Sequence, residues 1–309
     1  MDKIRQNVFP ILTALIWGTA FSAQSQCAAA GMQTFTFNML RSVIGCIVLV
    51  PVMLWFSGGP KKIQRQLKDT TYQKNLLWGG LCCGLLLTIA SNLQQLGLGG
   101  TESGKGGFIT ALYIVIVPVL GIFLKKKVSP TIWISVLLAA AGMYLLCVKE
   151  GASLTVSRYD LYLLLCALIF ALHILVIDRF ANRVDGIQLS LVQFAVAAVF
   201  SGIGMLCLES PSAAVIRQCL WPLLYVGVFS SGIAYTLQIL AQKGSNPTVV
   251  SLLLSLESVF SVLSAAIFLG EILTPREYLG CGIMLTAVIL AQLPRKRKEE
   301  TYELSRLQK

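Results

Sequence analysis

Two charged residues lie where charge is rare, inside long apolar segments of this chain. Glu257 is the only acidic residue near the middle of any such segment. A carboxyl group surrounded by apolar groups favours its neutral form unless it is paired, so Glu257 could take up and release a proton. Arg41 lies closer to the end of its segment, where it could attract a substrate carboxylate, pair with an acid, or extend to the surface. For both residues the alternative is a structural bond that holds helices together.

The other reactive side chains do not form a pattern typical of an enzyme. Hydrolysis within a membrane needs a nucleophile with a base, paired aspartates, or a His-Glu-x-x-His metal motif. His173 is the sole histidine and has no cysteine or aspartate partner, so we expect it to be a packing residue. No Gly-x-x-x-x-Gly-Lys-Ser/Thr motif is present to bind ATP. We therefore predict no catalytic residue, no metal and no cofactor.

Uncharged polar and aromatic residues recur within the apolar segments, and each is a candidate for a ligand pathway because polar groups are costly in lipid. Asn92 and Gln95 are three residues apart and share one helix face, and Tyr235 and Gln238 have the same spacing later in the chain. Amides and aromatic faces suit a semi-polar organic solute; the alternative is that some of them only bond across helices. Together with Arg41, the candidate binding residues are Trp17, Gln24, Asn38, Ser91, Asn92, Gln95, Tyr113, Gln193, Tyr235 and Gln238.

The composition requires lipid as the solvent for most of these segments. Of the 309 residues 56% are apolar and 13% are charged, about half the charged share of a soluble domain. A span needs about 20 apolar residues, and only helices or closed barrels satisfy their backbone in lipid. The sequence predicts an all-α membrane protein with ten helices, at about 8–27, 36–56, 76–97, 107–124, 131–148, 159–177, 187–207, 220–241, 248–269 and 276–293.

The lysines and arginines predict how these spans are oriented. If the N-terminus is cytoplasmic, nineteen of the 25 basic residues fall on that side and five on the other. This bias predicts that both termini are cytoplasmic. The basic residues that give the net charge of +11 lie between the apolar spans, where they orient the spans. We therefore expect the bilayer and a small-molecule substrate as partners, and no nucleic acid. The compact layout favours the plasma membrane, in a bacterial cell, and a monomer is the working expectation.

The chain contains an internal repeat. Residues 14–17 match 167–170, residues 36–41 lie opposite 188–193, residues 93–94 match 237–238, and residues 128–130 match 273–275, all in the same order. Because five spans are an odd number, the second half enters the membrane from the opposite face, as in many secondary transporters. We predict two inverted five-helix repeats, residues 1–150 and 157–293, followed by a basic cytoplasmic tail, 294–309.

Several short motifs resemble the EamA family of the drug/metabolite transporter superfamily over almost the whole chain. They are Trp17-Gly18-Thr19-Ala20-Phe21, Arg41, the polar turns at 99–103 and 243–247, Leu256-Glu257-Ser258 and Leu269-Gly270-Glu271-Ile272-Leu273. Two departures are Ser258, where the family has proline, and Lys125-Lys126-Lys127, where the first half lacks the Gly-Glu pair. The positive-inside rule accounts for the lysine run.

The resemblance implies a secondary transporter, an exporter or permease, that moves an amino acid, another metabolite, a sugar or a drug-like molecule. Such proteins work by alternating access around a midplane site, and Glu257 is our candidate for coupling proton movement to the substrate. The alternatives are a channel, whose flux would not saturate, and a sensor, which should carry an output domain. The sequence does not choose the substrate, the coupling ion or the direction of transport.

Overall fold

A computed structural model describes residues 2–101, 103–124, 128–148, 157–269 and 273–292. These residues form helices joined by short turns, without a β-strand among them. The helices are α1 (Asp2–Ala29), α2 (Thr34–Phe56), α3 (Gly59–Lys68), α4 (Thr70–Leu98), α5 (Ser103–Ala111), α6 (Tyr113–Phe123), α7 (Pro130–Cys147), α8 (Arg158–Phe180), α9 (Gly186–Leu208), α10 (Ala213–Gln218), α11 (Leu220–Tyr225), a π-helix (Val226–Ala234), α12 (Tyr235–Gln242), α13 (Pro247–Leu254), α14 (Glu257–Leu269) and α15 (Pro275–Gln292).

Nine helical stretches of the described chain are long and apolar enough to cross a membrane. They are Arg5–Ala29, Thr34–Phe56, Thr70–Leu98, Gly106–Phe123, Pro130–Cys147, Arg158–Phe180, Gly186–Leu208, Leu220–Gln242 and Pro247–Ser264. The tenth predicted span, 276–293, coincides with α15, which is helical but less apolar than the nine. Its first turn contains Arg276 and Glu277, and these two charges lower its hydropathy.

Local sequence signals explain where several helices begin. Asp185 caps α9 by accepting hydrogen bonds from the backbone of Ile187 and Gln188. In the turn before α13, Gly244 has a φ of +74°, a conformation that glycine adopts without strain. Asn246 then accepts a bond from the backbone of Thr248, and proline occupies the first position of α13. The polar turn at 243–247 therefore ends one helix and starts the next.

α2 and α9 are joined by polar contacts at both of their ends. At one end, Glu209, which follows α9, accepts hydrogen bonds of 2.7 Å from the backbone nitrogens of Phe35 and Thr36. These are first-turn donors of α2, which no side chain of α2's own N-cap satisfies. At the other end, the hydroxyl of Ser57 donates to Asp185 at 2.9 Å. Each helix thus ends against the start of the other, so α2 and α9 run antiparallel.

Two of the membrane-crossing stretches are interrupted near their middle. Leu112 separates α5 from α6, and Ser255 with Leu256 separates α13 from α14. Tyr113 is the first residue of α6, and Glu257 is the first residue of α14. A third stretch contains the π-helix Val226–Ala234, and such segments are rare and frequent at functional sites. Irregular backbone therefore interrupts three of the membrane-crossing stretches, Gly106–Phe123, Leu220–Gln242 and Pro247–Ser264.

Several residues of the sequence analysis lie outside the described residues. They are Glu102 of the first polar turn, the lysine run 125–127, Gly270-Glu271-Ile272, and the tail 294–309. The predictions made for these residues stay predictions.

Candidate functional site

A cavity lies in the interior of the helical bundle, between the interrupted helices and α1. Its volume is about 30 Å³, enough for about two water molecules, so it is narrow. Its lining residues are Trp17, Phe21, Gln24, Arg41, Gln94, Thr110, Tyr113, Phe170, Ile174, Ser230, Tyr235, Gln238, Leu254 and Glu257. All except Trp17 are buried. The cavity combines aromatic walls with one cationic and one acidic side chain.

Arg41 is 3% exposed and hydrogen-bonds only to neutral groups of the described chain. Its Nε donates to the hydroxyl of Ser231 at 3.0 Å, and its Nη1 donates to Oε1 of Gln24 at 3.2 Å. Its Nη2 donates to the hydroxyl of Ser230 at 3.4 Å. Ser230 and Ser231 belong to the π-helix, so the irregular turn presents two consecutive hydroxyls to one guanidinium. The positive charge is held in place without a carboxylate among these partners.

Glu257 lies on the cavity wall at the break between α13 and α14. It is 7% exposed, and its Oε1 accepts a hydrogen bond from the hydroxyl of Tyr113 at 3.3 Å. Tyr113 itself lies at the break between α5 and α6. The first residues after the two helix breaks are therefore in contact with each other, and the carboxyl group of Glu257 faces the cavity at this contact.

The aromatic wall centres on Tyr235. The rings of Trp17 and Tyr235 have centroids 4.7 Å apart, and Phe194 packs edge-on against Tyr235 from behind at 5.5 Å. Three polar atoms of the cavity lining lack a hydrogen-bond partner within the described chain: the indole nitrogen of Trp17, the hydroxyl of Thr110 and Oε1 of Gln238. Buried polar groups are normally paired, so these three atoms are unsatisfied in this conformation.

His173 lies behind this wall rather than on it. Its Nε2 is 3.1 Å from Oε1 of Gln193, and its ring packs edge-on against Tyr235 at 6.3 Å. Among the described residues no group of three or more histidines, cysteines or acids could hold a metal ion. His173 therefore packs behind the wall, and its Nδ1 has no hydrogen-bond partner within the described chain.

Seven of the twelve residues singled out in the sequence line the cavity, namely Trp17, Gln24, Arg41, Tyr113, Tyr235, Gln238 and Glu257. The other five are Asn38, Ser91, Asn92, Gln95 and Gln193, and they bond between helices. Nδ2 of Asn38 donates to Oδ1 of Asn92 at 3.1 Å, and Nδ2 of Asn92 donates to the hydroxyl of Ser201 at 3.2 Å. These amides connect α2, α4 and α9 beside the cavity.

The sequence analysis did not select three polar residues of the lining: Gln94, Thr110 and Ser230. Gln94 could have been found, because the repeat places it opposite Gln238. Choosing Asn92 and Gln95 as the counterparts of Tyr235 and Gln238 displaced the predicted face by one residue. Ser230 gave no such signal, since its position depends on the π-helix.

Ten residues of the lining form five pairs of equivalent positions in the two halves. Phe170 follows Trp17, and Ile174 follows Phe21, at the same spacing of 153 residues. Later in each half the spacing is 144 residues between Gln94 and Gln238 and 145 between 128–130 and 273–275. A spacing of 144 relates Thr110 to Leu254 and Tyr113 to Glu257, and these last two residues are the first of α6 and α14. Most of the wall is therefore contributed twice, once by each half.

Comparisons with known proteins agree with a duplicated membrane transporter. The sequence profile of the EamA-like transporter family matches residues 6–148 and again residues 157–293. An uncharacterized transporter of Archaeoglobus fulgidus is 29% identical over 287 residues, which cover 91% of this chain and 84% of that protein. A crystal structure that is 17% identical in sequence superposes with a TM-score of 0.76, over 93% of this chain and 96% of the other. That structure supports the fold alone.

Proposed function

This chain belongs to the EamA-like transporter family, and from that premise we propose that it is a secondary transporter for a small organic metabolite. It works as an exporter or permease in the plasma membrane, by alternating access between two inverted halves. The halves are residues 1–150 and 157–293, and both termini, with the basic tail 294–309, are cytoplasmic. The cavity is the substrate site, and the protein works as a monomer.

The observation that carries this proposal is that the cavity wall consists of paired positions from the two halves. A site between two repeats can be opened to either side of the membrane when one half rocks against the other. The pairing of Tyr113 with Glu257 is central to the argument, because these equivalent residues touch each other. Two residues that are related by a two-fold axis can touch each other only near that axis, so the contact marks where the axis between the two halves passes.

The direction of the paired helices supports an axis in the plane of the membrane. In α7 and α15, a Cβ atom on Gly142 would meet the backbone of Gly280 and Met284, whereas one on Gly280 would meet the backbone of Gly142 and Leu146. Residue numbers therefore rise along one helix as they fall along the other. The repeat makes α7 and α15 equivalent, and a two-fold axis between antiparallel helices is perpendicular to both.

The packing of α15 also supports a tenth span. α15 packs along α7, and the mutual approach of Gly142 and Gly280 is typical of helices that cross in lipid. Ten spans place both termini on one side, in agreement with the distribution of lysine and arginine. Labelling of single cysteines in a cysteine-free variant should reach positions 61 and 309 from the cytoplasmic side only. Labelling of 309 from the outside would exclude the inverted arrangement.

We propose that Glu257 couples transport to protons. Its carboxyl group faces the cavity at the contact between the halves, where it can be reached by the solute and can change partners as the halves move. In proteoliposomes, Glu257→Gln should remove the effect of a pH gradient on uptake, and Asp178→Asn, which is not part of the cavity lining, is the control. Normal gradient-dependent transport by the Glu257→Gln protein would exclude this role.

The transport activity itself is tested in two steps. Purified protein is screened for metabolites that raise its unfolding temperature, and the stabilising metabolites are then tested for uptake in proteoliposomes. A transporter saturates as the solute concentration rises, whereas a channel does not. Stabilisation without any flux would favour a sensor and would contradict the proposal.

A further inference from the structure

We propose that the transported solute carries a carboxylate group, which binds to Arg41, Gln24 and Ser230 at one end of the cavity. This inference rests on the proposed function and adds the chemical class of the substrate. It does not depend on which organic group is attached to the carboxylate.

The hydrogen bonds around Arg41 leave only donors facing the cavity. A guanidinium has five N–H groups and cannot accept a hydrogen bond. The oxygen of Gln24 and the hydroxyl oxygen of Ser230 must therefore accept from it, as they do at 3.2 and 3.4 Å. This leaves the amide NH₂ of Gln24 and the hydroxyl hydrogen of Ser230 as donors, and both residues line the cavity.

The electrostatics favour the same class of ligand. Arg41 is 3% exposed, and a buried charge is stabilised well only when it is paired with an opposite charge. Its three hydrogen-bond partners in the described chain and the nearby Tyr235 hydroxyl are all neutral, and together they leave at least one of its five N–H groups without an acceptor. A carboxylate is planar, accepts at several positions, and matches the fork of a guanidinium. Binding would supply the missing negative charge and the missing acceptors together.

The rest of the cavity restricts what the carboxylate is attached to. Away from Arg41, the wall is formed largely by the rings of Trp17, Phe21, Phe170 and Tyr235. The space between these rings is narrow, so the attached group must be slender or flat, and the walls must separate to admit it. A carboxylate with a short apolar or aromatic group therefore matches both the charged end and the walls.

A competing explanation is that Arg41 is purely structural, holding α1, α2 and the π-helix together. Another is that Arg41 pairs with Glu257 when the transporter changes conformation, since both side chains line the cavity. In either case a neutral solute should bind as well as an anionic one. Solutes that differ only in their head group therefore separate these explanations from ours.

Trp17 provides a reporter for occupation of the cavity. In a variant that retains Trp17 and replaces Trp55, Trp78, Trp133 and Trp221 by phenylalanine, indole fluorescence comes from the cavity wall alone. The probes are phenylacetate and hexanoate, each compared with its own primary amide. We expect each carboxylate to change the fluorescence saturably and to bind at least tenfold more tightly than its amide. Equal affinities within both pairs would overturn the proposal.

Three substitutions then assign the effect to Arg41. Arg41→Gln should reduce carboxylate affinity at least tenfold and leave amide affinity unchanged, whereas Arg65→Gln, on the exposed face of α3, should change neither. Gln24→Glu places a carboxylate beside Arg41, so it should raise the unfolding temperature and abolish binding of the carboxylate probes. The Gln24→Glu variant keeps the test valid if Arg41→Gln does not fold.

Carboxylate binding by folded Arg41→Gln protein at wild-type affinity would overturn the proposal, and so would unaltered binding by Gln24→Glu. Recovery of wild-type affinity in Arg41→Gln/Glu257→Gln would show that Arg41 serves to neutralise Glu257, and would also overturn it. The outcome for transport is separate. Saturable uptake restricted to neutral or cationic metabolites would refute this inference and leave the proposed function intact, whereas absence of uptake for every metabolite would refute the proposed function.

Discussion

Replacement of Gly18 by alanine tests the packing that positions the cavity. A Cβ atom on Gly18 would lie 2.6 Å from the carbonyl oxygen of Glu257 and 2.8 Å from the backbone nitrogen of Ser261. Ordinary contacts begin at 3.4 Å, and both of these neighbours are backbone atoms that cannot rotate away. α1 and α14 would have to separate, and overpacking of this kind costs about 1–3 kcal/mol.

The control is Gly282→Ala in α15. A Cβ atom at Gly282 would meet nothing within 4 Å, and alanine is favoured over glycine inside a helix by about 1 kcal/mol. Chemical unfolding of the purified protein in detergent should therefore show a loss of stability for Gly18→Ala and none for Gly282→Ala. The same shift would move Glu257, so Gly18→Ala should also weaken solute binding in the Trp17 fluorescence assay.

Two results would refute this reasoning. If Gly18→Ala unfolds at the same denaturant concentration as wild type, the close approach of α1 and α14 does not exist in the protein. If Gly18→Ala and Gly282→Ala are destabilised equally, the effect comes from the helices themselves rather than from their crossing.

Further substitutions test the site and the helix ends. Gln94→Ala should weaken solute binding several-fold and Gln95→Ala should not, and the reverse result in the fluorescence assay would mean that α4 is rotated. Asn92→Ala leaves buried hydrogen-bonding groups unsatisfied, so it should lower stability by about 1–3 kcal/mol while binding persists; loss of binding at unchanged stability would contradict this role. Glu209→Ala removes the cap of α2 and should lower the free energy of unfolding by about 1 kcal/mol. The control is Asp69→Ala, which removes the N-cap of α4 without affecting a contact to another helix. A larger loss of stability for Asp69→Ala than for Glu209→Ala would contradict the idea that Glu209 joins two helices.

The sequence was sufficient to predict the family and the helical fold. Long apolar segments with few charges leave helices as the simplest solution in lipid, and the motifs around Trp17 and Glu257 identified the family that the profile confirms. The tenth span stays a prediction, because Arg276 and Glu277 make α15 less apolar than the nine stretches that could cross a membrane. Hydropathy decides such a case poorly, whereas packing against α7 gives independent evidence.

The cavity could be predicted only in part, because helix type and rotation decide which side chains face it. An error of one residue along α4 exchanges Gln94 for Gln95 and changes the facing direction by about 100°. The α-helical periodicity of side chains does not hold within the π-helix, so the facing direction of Ser230 could not be predicted from its spacing. The repeat contains the missing information for Gln94, since an equivalent position in the other half faces the same cavity.

The contact between Tyr113 and Glu257 has a consequence for stoichiometry. A duplicated protein with strict internal symmetry would place the same residue at both positions and would offer two equivalent sites for an ion. Here Tyr113 contributes a phenol and Glu257 a carboxyl group, so the contact contains a single carboxyl group. If Glu257 couples transport to protons as we propose, each transport cycle exchanges at most one proton through this contact.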